Sequence, residues 1–346
     1  MRETLGRSVY LSETDEHTLS EAGIANSPVF LSLHRQEEMK DGWRQRMISF
    51  CEQLYRQNCR ILADISKRTF AAMEVSSLEE LRDLLHLHSV RIDYGFTIDE
   101  IKEAAQIMPV VLNASTITEA EMKEFAGCEL SAMHNFYPRP ETGLDKDYVR
   151  ERTDLLHQYG FTVSAFIAGT GNRRGPLYEG LPTLEEHRHA VPLYACADLI
   201  RTCGVDQVYA GDPEVEESEL KRIERFLQEG VLELPCILAE GCEDLYGRVF
   251  TNRIDSPAGL IRIAESREYS VASGRRAKPG NTAARTRGTI TMDNEAYLRY
   301  EGEIMIAKRD YPSDPRVNVI GRIENAYMPV IDLIDRGDRL MFVRPQ

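Results

Sequence analysis

The first two thirds of the chain alternate short apolar runs with segments that carry helix-start signals, and this alternation limits the fold more than any other feature. The runs are Arg7–Leu11, Val29–Leu33, Arg60–Ala63, Val90–Ile92, Val110–Leu112, Leu130–Met133, Phe161–Ile167 and Gln207–Ala210. Most are rich in β-branched and aromatic residues and read as buried strands. Between them, Trp43, Met47, Phe50 and Leu54 recur at helical spacing, and Ser77-x-x-Glu80, Thr97-x-x-Glu100 and Thr118-x-x-Glu121 are capping boxes. Tyr148, Arg152, Leu155 and Tyr159 mark a sixth helix; Glu185 to Cys203, behind a box at Thr183 and Glu186, a seventh; Leu220, Ile223 and Leu227 an eighth. Strands alternating with helices over roughly 220 residues predict a parallel (β/α)8 TIM barrel. An open doubly wound sheet would more often place a glycine-rich turn after the first strand, where this chain has Ser12-Glu13-Thr14-Asp15. About sixteen residues separate the first two strands, close to the minimum for a parallel crossover, so the first helix is expected to be short or irregular.

After Gly230 the pattern changes. Leu232–Leu238, Val249–Arg253, Gly288–Met292, Gly302–Lys308 and Val317–Ile323 read as strands, Pro257–Ser266 as a helix, and the basic, turn-rich Ser273–Arg287 as an exposed loop. The expected division is a barrel over 1–230 and a smaller, mostly β domain over 231–346, closed into a small barrel. With 56 acidic residues against 42 basic ones, a general nucleic-acid or anionic-membrane binder is disfavoured, so any anion must be held locally. No apolar run approaches a membrane span and the start has no apolar signal core, which predicts a cytoplasmic protein. The seven cysteines include no CxxC pair and read as reduced thiols.

In a barrel of this kind the chemistry sits at the carboxyl ends of the strands. Here those positions carry Glu13, Ser32 and His34, Asp64 and Ser66, Asp93, Asn113 and Ser115, His134 and Asn135, a loop from Gly169 to Gly180, and Gly211-Asp212-Pro213. Taken singly, such residues usually cap a helix or make a turn. As a ring they suit a polyhydroxylated ligand, with Tyr94, Phe96, Phe136 and Tyr137 either stacking on sugar faces or packing beneath loops. The Gly169–Gly180 loop adds Asn172, Arg173 and Arg174, with no acidic residue from Thr170 to Tyr178. It is either a solvated turn or, with its backbone N–H groups, an anion cradle for a phosphate or carboxylate. Glycosidic cleavage needs one carboxyl to protonate the leaving oxygen and one to stabilise or attack the anomeric carbon. Asp64 and Asp93 are favoured, then Glu13 and Asp212, with Glu179 also available. His34 and His134 with neighbouring Asp side chains offer a weaker mixed N/O metal reading, as in metal-dependent sugar isomerases; no HxH, HExxH or G-x-S-x-G occurs, and His187 and His189 are expected in solvated or capping positions. No metal or cofactor is therefore expected.

Longer runs carry a resemblance. IDYGF (92–96), LNAST (112–116), HNFYPRPETGL (134–144), GNRRGPLYEGLPTLEEHR (171–188), YAGDP (209–213) and TNR (251–253) look like the bacterial 6-phospho-N-acetylmuramidases, and GTITMDN (288–294) and KRDYPSDPRVNVIGR (308–322) resemble that family's cyclophilin-like C-terminal domain. The similarity spans nearly the whole chain. It implies a cytoplasmic exo-glycosidase that cleaves 6-phospho-N-acetylmuramyl-β-1,4-N-acetylglucosamine from peptidoglycan turnover, delivered by a sugar phosphotransferase system. On that reading Arg173 and Arg174 hold the 6-phosphate, and Arg139 or Arg253 meets the lactyl carboxylate. His34, Asn113, His134, Asn135, Tyr137, Asn172 and Glu179 complete the expected substrate contacts. The alternatives are a phosphosugar isomerase or epimerase on the same barrel, and a non-catalytic carbohydrate-binding protein. The only partner implied is the small phosphorylated disaccharide, with neither nucleic acid nor membrane; self-association into a homo-oligomer is left open.

Overall fold

Parallel strands need both faces covered, and the first unit of the chain meets this by closing its sheet on itself. The computed structural model describes residues 4–11, 24–33, 42–92, 94–266 and 277–345. These fall into two units, Met1–Ile223 and Glu224–Gln346. In the first, β1 (Gly6–Val9), β2 (Pro28–Ser32), β3 (Arg60–Ile65), β4 (Leu87–Ile92), β5 (Val110–Asn113), β6 (Leu130–Met133), β7 (Thr162–Ile167) and β8 (Gln207–Ala210) form a closed barrel in sequence order. Every neighbouring pair is parallel, including β1 with β8, where Arg7 is opposite Ala210. The predicted (β/α)8 barrel is the observed architecture.

Phe30, Leu62, Val111, Met133, Phe166 and Tyr209 form a compact interior cluster. Phe166 meets Phe30 and Phe136 edge to face, with ring centroids 5.3 and 5.0 Å apart. A second, larger core lies between strands and helices; Trp43, Met47, Phe50 and Leu54 enter it from the helix Trp43–Arg56, as their spacing predicts. The boxes at Thr97/Glu100 and Thr118/Glu121 cap the helices Ile98–Ile107 and Glu119–Glu124. At Ser77 only half of the box forms, because the Glu80 carboxylate accepts from Ser76 instead of the N-cap amide.

The seventh helix is the main departure in this unit. Thr183 Oγ1 accepts from Phe166 N and donates to Asn135 O, both at 2.9 Å, so it cannot cap. Glu185–His187 makes a single 3-10 turn, and the helix begins at Pro192, a residue suited to a first helical position, and ends at Arg201. The helix Lys67–Met73, with a Ser66/Thr69 box, was not expected from the sequence. The first crossover, with its expected irregular helix, lies outside the described residues.

The second unit is a seven-stranded sheet in the order β10 (Val249–Thr251), β15 (Arg339–Val343), β9 (Val231–Leu238), β14 (Val317–Ile323), β12 (Thr289–Asp293), β13 (Ile304–Ala307), β11 (Leu260–Arg262). Its two edges meet where Arg253 N donates to Arg262 O and Ala264 N to Thr251 O, at 2.8 and 2.9 Å. The helix expected over Pro257–Ser266 is absent: Ile261 and Ile263, both fully buried, follow the period of a strand, and Leu260–Arg262 pairs antiparallel with β13. Strand β15 and the short helix Met328–Asp332 were not expected either. Among the described residues no helix is long and apolar enough to cross a membrane.

Candidate active site at the barrel mouth

Side chains on a strand alternate, so the residue two places beyond each interior apolar residue also faces inward, one layer nearer the carboxyl end. Beyond Phe30, Leu62, Val111 and Met133 that rule gives Ser32, Asp64, Asn113 and Asn135, and beyond Ser89 it gives Arg91. These form a polar layer directly on the aromatic plug. Asp64 is only 5% and Arg91 only 4% exposed, and Arg91 Nη1 donates to Asp64 Oδ1 at 3.1 Å while Nη2 donates to Asn135 Oδ1. A buried carboxylate in this position is held by charge pairing, because losing water without a partner would be costly.

The network continues through backbone and hydroxyl groups. Ser115 Oγ accepts from Asn135 N at 3.2 Å and lies 3.3 Å from His134 Nδ1, while Asn113 Oδ1 accepts from Ser115 N at 3.0 Å. His134 is fully buried, and desolvation, reinforced by Arg152, pushes its imidazole down to about 3. It is therefore neutral near neutrality. Tyr137, half buried, has its phenol raised, mainly by burial and against hydrogen bonding to Ser115.

The glycine-rich loop after β7 is organised by one carboxylate. Asp212, fully buried just past β8, accepts from Gly169 N (2.8 Å) and Leu181 N (3.0 Å) at Oδ2 and from Arg174 N (3.0 Å) at Oδ1. Both of its oxygens are thus engaged by loop amides. Gly211 lets the two loops approach, since a Cβ there would collide with the Leu181 carbonyl oxygen. Anchored in this way, Arg174 lays its guanidinium over the rings of Tyr10 (4.8 Å) and Phe136 (5.0 Å). Tyr10 itself is buried, donates to Gly211 O at 2.7 Å, and has its phenol pushed up to about 12 by burial. Neither Arg173 nor Arg174 has a carboxylate partner among the described residues, which leaves both cations available to an anion.

A second pair straps the β6 and β7 loops together. Glu185 accepts from the amides of Glu141 (2.9 Å) and Gly143 (2.8 Å) and from Arg188, which holds its carboxyl down to about 2. Arg188, 2% exposed, also donates to Gly180 O at 3.0 Å and Arg139 O at 3.2 Å.

Of the residues singled out in the sequence, Asp64, Asn113, His134, Asn135 and Tyr137 lie in or against one bonded network, and Arg174 caps the aromatic plug. Asn172 and Glu179 are exposed; the Asn172 amide donates to Glu214 Oε2 at 2.8 Å. Arg139 is exposed and has no ion pair among the described residues. Arg253 belongs to the second unit, where Asp255 (2.8 Å) and Glu303 (3.5 Å) balance it. Glu13, His34 and Asp93 lie outside the described residues. His187 is not solvated: it is fully buried, with Nε2 2.9 Å from Asp198 Oδ2. The cluster Glu186, His187 and Asp198 has metal-ligand spacing, but the Lys146 ammonium already sits 2.7 Å from Asp198 Oδ2. Sequence reading missed Arg91, although a lone charge inside the apolar run Val90-Arg91-Ile92 was a signal that something buried would pair with it. It also missed Tyr10, Glu185 and Arg188, for which no local pattern speaks.

Two family models match, one described as 6-phospho-N-acetylmuramidase, N-terminal, over residues 5–225, the other as the C-terminal part of the same, over residues 237–343. None of the curated proteins compared with the chain matches it. Among solved structures, a conserved protein of unknown function from Enterococcus faecalis is 32% identical over 99% of this chain and 96% of its own, with a TM-score of 0.84. An uncharacterized B. cereus protein shares the fold at 22% identity, covering 99% of this chain and 100% of its own, with a TM-score of 0.80. The chain belongs to the 6-phospho-N-acetylmuramidase family.

Proposed function

We propose that the protein is a glycoside hydrolase that cleaves 6-phospho-N-acetylmuramyl-β-1,4-N-acetylglucosamine into N-acetylmuramic acid 6-phosphate and N-acetylglucosamine, within the cytoplasm, as a step of cell-wall recycling. The observation that carries the reading is the loop pinned by Asp212, which holds two arginines without carboxylate partners among the described residues beside a mouth lined by a buried Asp64–Arg91–Asn135 network. A phosphate fits the first and a ring of hydroxyls the second. The family description supports the substrate class, and the family resemblance supports a cyclophilin-like second domain.

In this mechanism Arg91 pairs with Asp64 and orients it, and Asp64 stabilises or attacks the anomeric carbon as positive charge develops there. The second carboxyl, which protonates the leaving oxygen, is assigned to Asp93 or Glu13. Asp212 serves as a positioning residue, since both its oxygens bind loop amides, and Arg173 and Arg174 hold the 6-phosphate. Of the two residues offered for the lactyl carboxylate, Arg139 is preferred, because the charge of Arg253 is already balanced.

The test is Asp64→Asn, which keeps an oxygen for Arg91 but removes the charge. Turnover should fall by about 10²–10⁴-fold, with binding of the phosphorylated disaccharide retained in calorimetry. Unchanged turnover in a folded variant would remove Asp64 from the chemistry.

A further inference from the structure

The second unit contains a cavity of about 310 Å³ that the proposed hydrolysis does not use. Its lining includes Asp293, Glu303, Arg262, Arg285, Tyr297 and Tyr300. At roughly 300–1,000 Å³ for ligand pockets in general, this one suits a single small ring. Two of its carboxyls have acceptor capacity that the described residues leave unused. Glu303, 1% exposed, receives Arg262 Nε at 2.8 Å on Oε1, yet Oε2 has no hydrogen-bond partner among the described residues. Asp293, 4% exposed, lines the same cavity and makes no side-chain hydrogen bond among the described residues.

Buried polar groups are nearly always satisfied, so an orphaned Glu303 oxygen beside an Asp293 carboxyl that makes no side-chain hydrogen bond among the described residues, both lining one cavity, points to donors that arrive with a ligand. Charge selects among ligands. Arg262 and Arg285 offset Asp293 and Glu303, so an anion would meet the carboxyls and a cation the guanidinium groups, whereas a neutral molecule with several hydroxyls suffers neither. Tyr297 and Tyr300, edge to face at 6.2 Å, give the apolar face of a ring something to pack on. We propose that this cavity is a second saccharide site, in which Asp293 and Glu303 accept from the hydroxyl or amide donors of one neutral sugar ring and Tyr297 and Tyr300 pack against it.

The experiment titrates the full-length protein with N-acetylglucosamine, followed by calorimetry and saturation-transfer NMR. That probe is the neutral half of the disaccharide proposed above, and only this choice rests on the hydrolase reading. Saturable binding should weaken at least tenfold in Asp293→Asn and in Glu303→Gln, with thermal unfolding confirming that each folds; if Glu303→Gln does not fold, Asp293→Asn decides alone. Absence of saturable binding, binding equal in wild type and Asp293→Asn, or displacement of the sugar by millimolar methylammonium overturns the proposal. Binding is scored without turnover, so a chain that cleaves the disaccharide but holds no sugar here overturns this proposal alone. A chain that holds the sugar but cleaves nothing overturns only the hydrolase reading.

Discussion

Arg173 and Arg174 differ in how they are held, and that difference separates their effects. Arg174 stacks on Tyr10 and Phe136 and has its amide tied to Asp212, so its loss disturbs packing as well as charge. Arg173 has no such ring contact among the described residues. Charge-assisted hydrogen bonds contribute about 1.5–3 kcal/mol each. Arg173→Ala is therefore expected to lower kcat/KM for the phosphorylated disaccharide by roughly 10- to 100-fold, with little change in melting temperature. Arg174→Ala should lower both. A kinetic comparison with the unphosphorylated disaccharide checks the assignment, since its slow or absent cleavage should be indifferent to Arg173. At this scale the sequence was partly legible. A polar residue at a strand end announces itself, which is why Asp64, Asn113 and Asn135 stood out. Its partner does not: Arg91 stands opposite Asp64 on the neighbouring strand, and only the parallel register of β3 with β4 brings the two together.

At the scale of elements, local signals held where the chain's own backbone satisfied them. Thr97 and Thr118 cap helices because the fourth residue of each box is Glu and nothing else competes for the hydroxyl. Thr183 begins an equally good box, but strand β7 and the β6 loop claim its hydroxyl from both sides, and the helix starts nine residues later at Pro192. Period-2 burial of Ile261 and Ile263 likewise overrode the helical look of the flanking residues. The Gly169–Gly180 loop depends on Asp212 for its shape. In Asp212→Asn one amide nitrogen would face a loop N–H, leaving a buried donor unmatched at a cost of roughly 1–3 kcal/mol. The expected result is a lower unfolding midpoint together with a raised KM for phosphorylated substrate, measured by denaturant titration and steady-state kinetics. A loss of kcat alone, with stability intact, would instead mean that Asp212 acts in the chemistry.

For the whole molecule, the second unit has a titration of its own. Burial, then repulsion from Glu303 and Asp314 against the pull of Arg285 and Arg262, raises the Asp293 carboxyl from 3.8 to about 7. The folded protein therefore holds a proton that the unfolded chain releases between about pH 4 and 7. Stability is highest below that window and falls as pH rises through it, at a limiting slope of about 1.4 kcal/mol per pH unit from this group. Asp293→Asn should flatten that part of the profile and be more stable than wild type at pH 8, as read by chemical denaturation across pH. The central claim concerns the barrel, and one assay tests it most directly: product release from 6-phospho-N-acetylmuramyl-β-1,4-N-acetylglucosamine beside its unphosphorylated counterpart, each with and without chelator. The account predicts that only the phosphorylated disaccharide is cleaved, at a rate chelation leaves unchanged. Equal cleavage of both, or cleavage of neither by a folded sample, would contradict it.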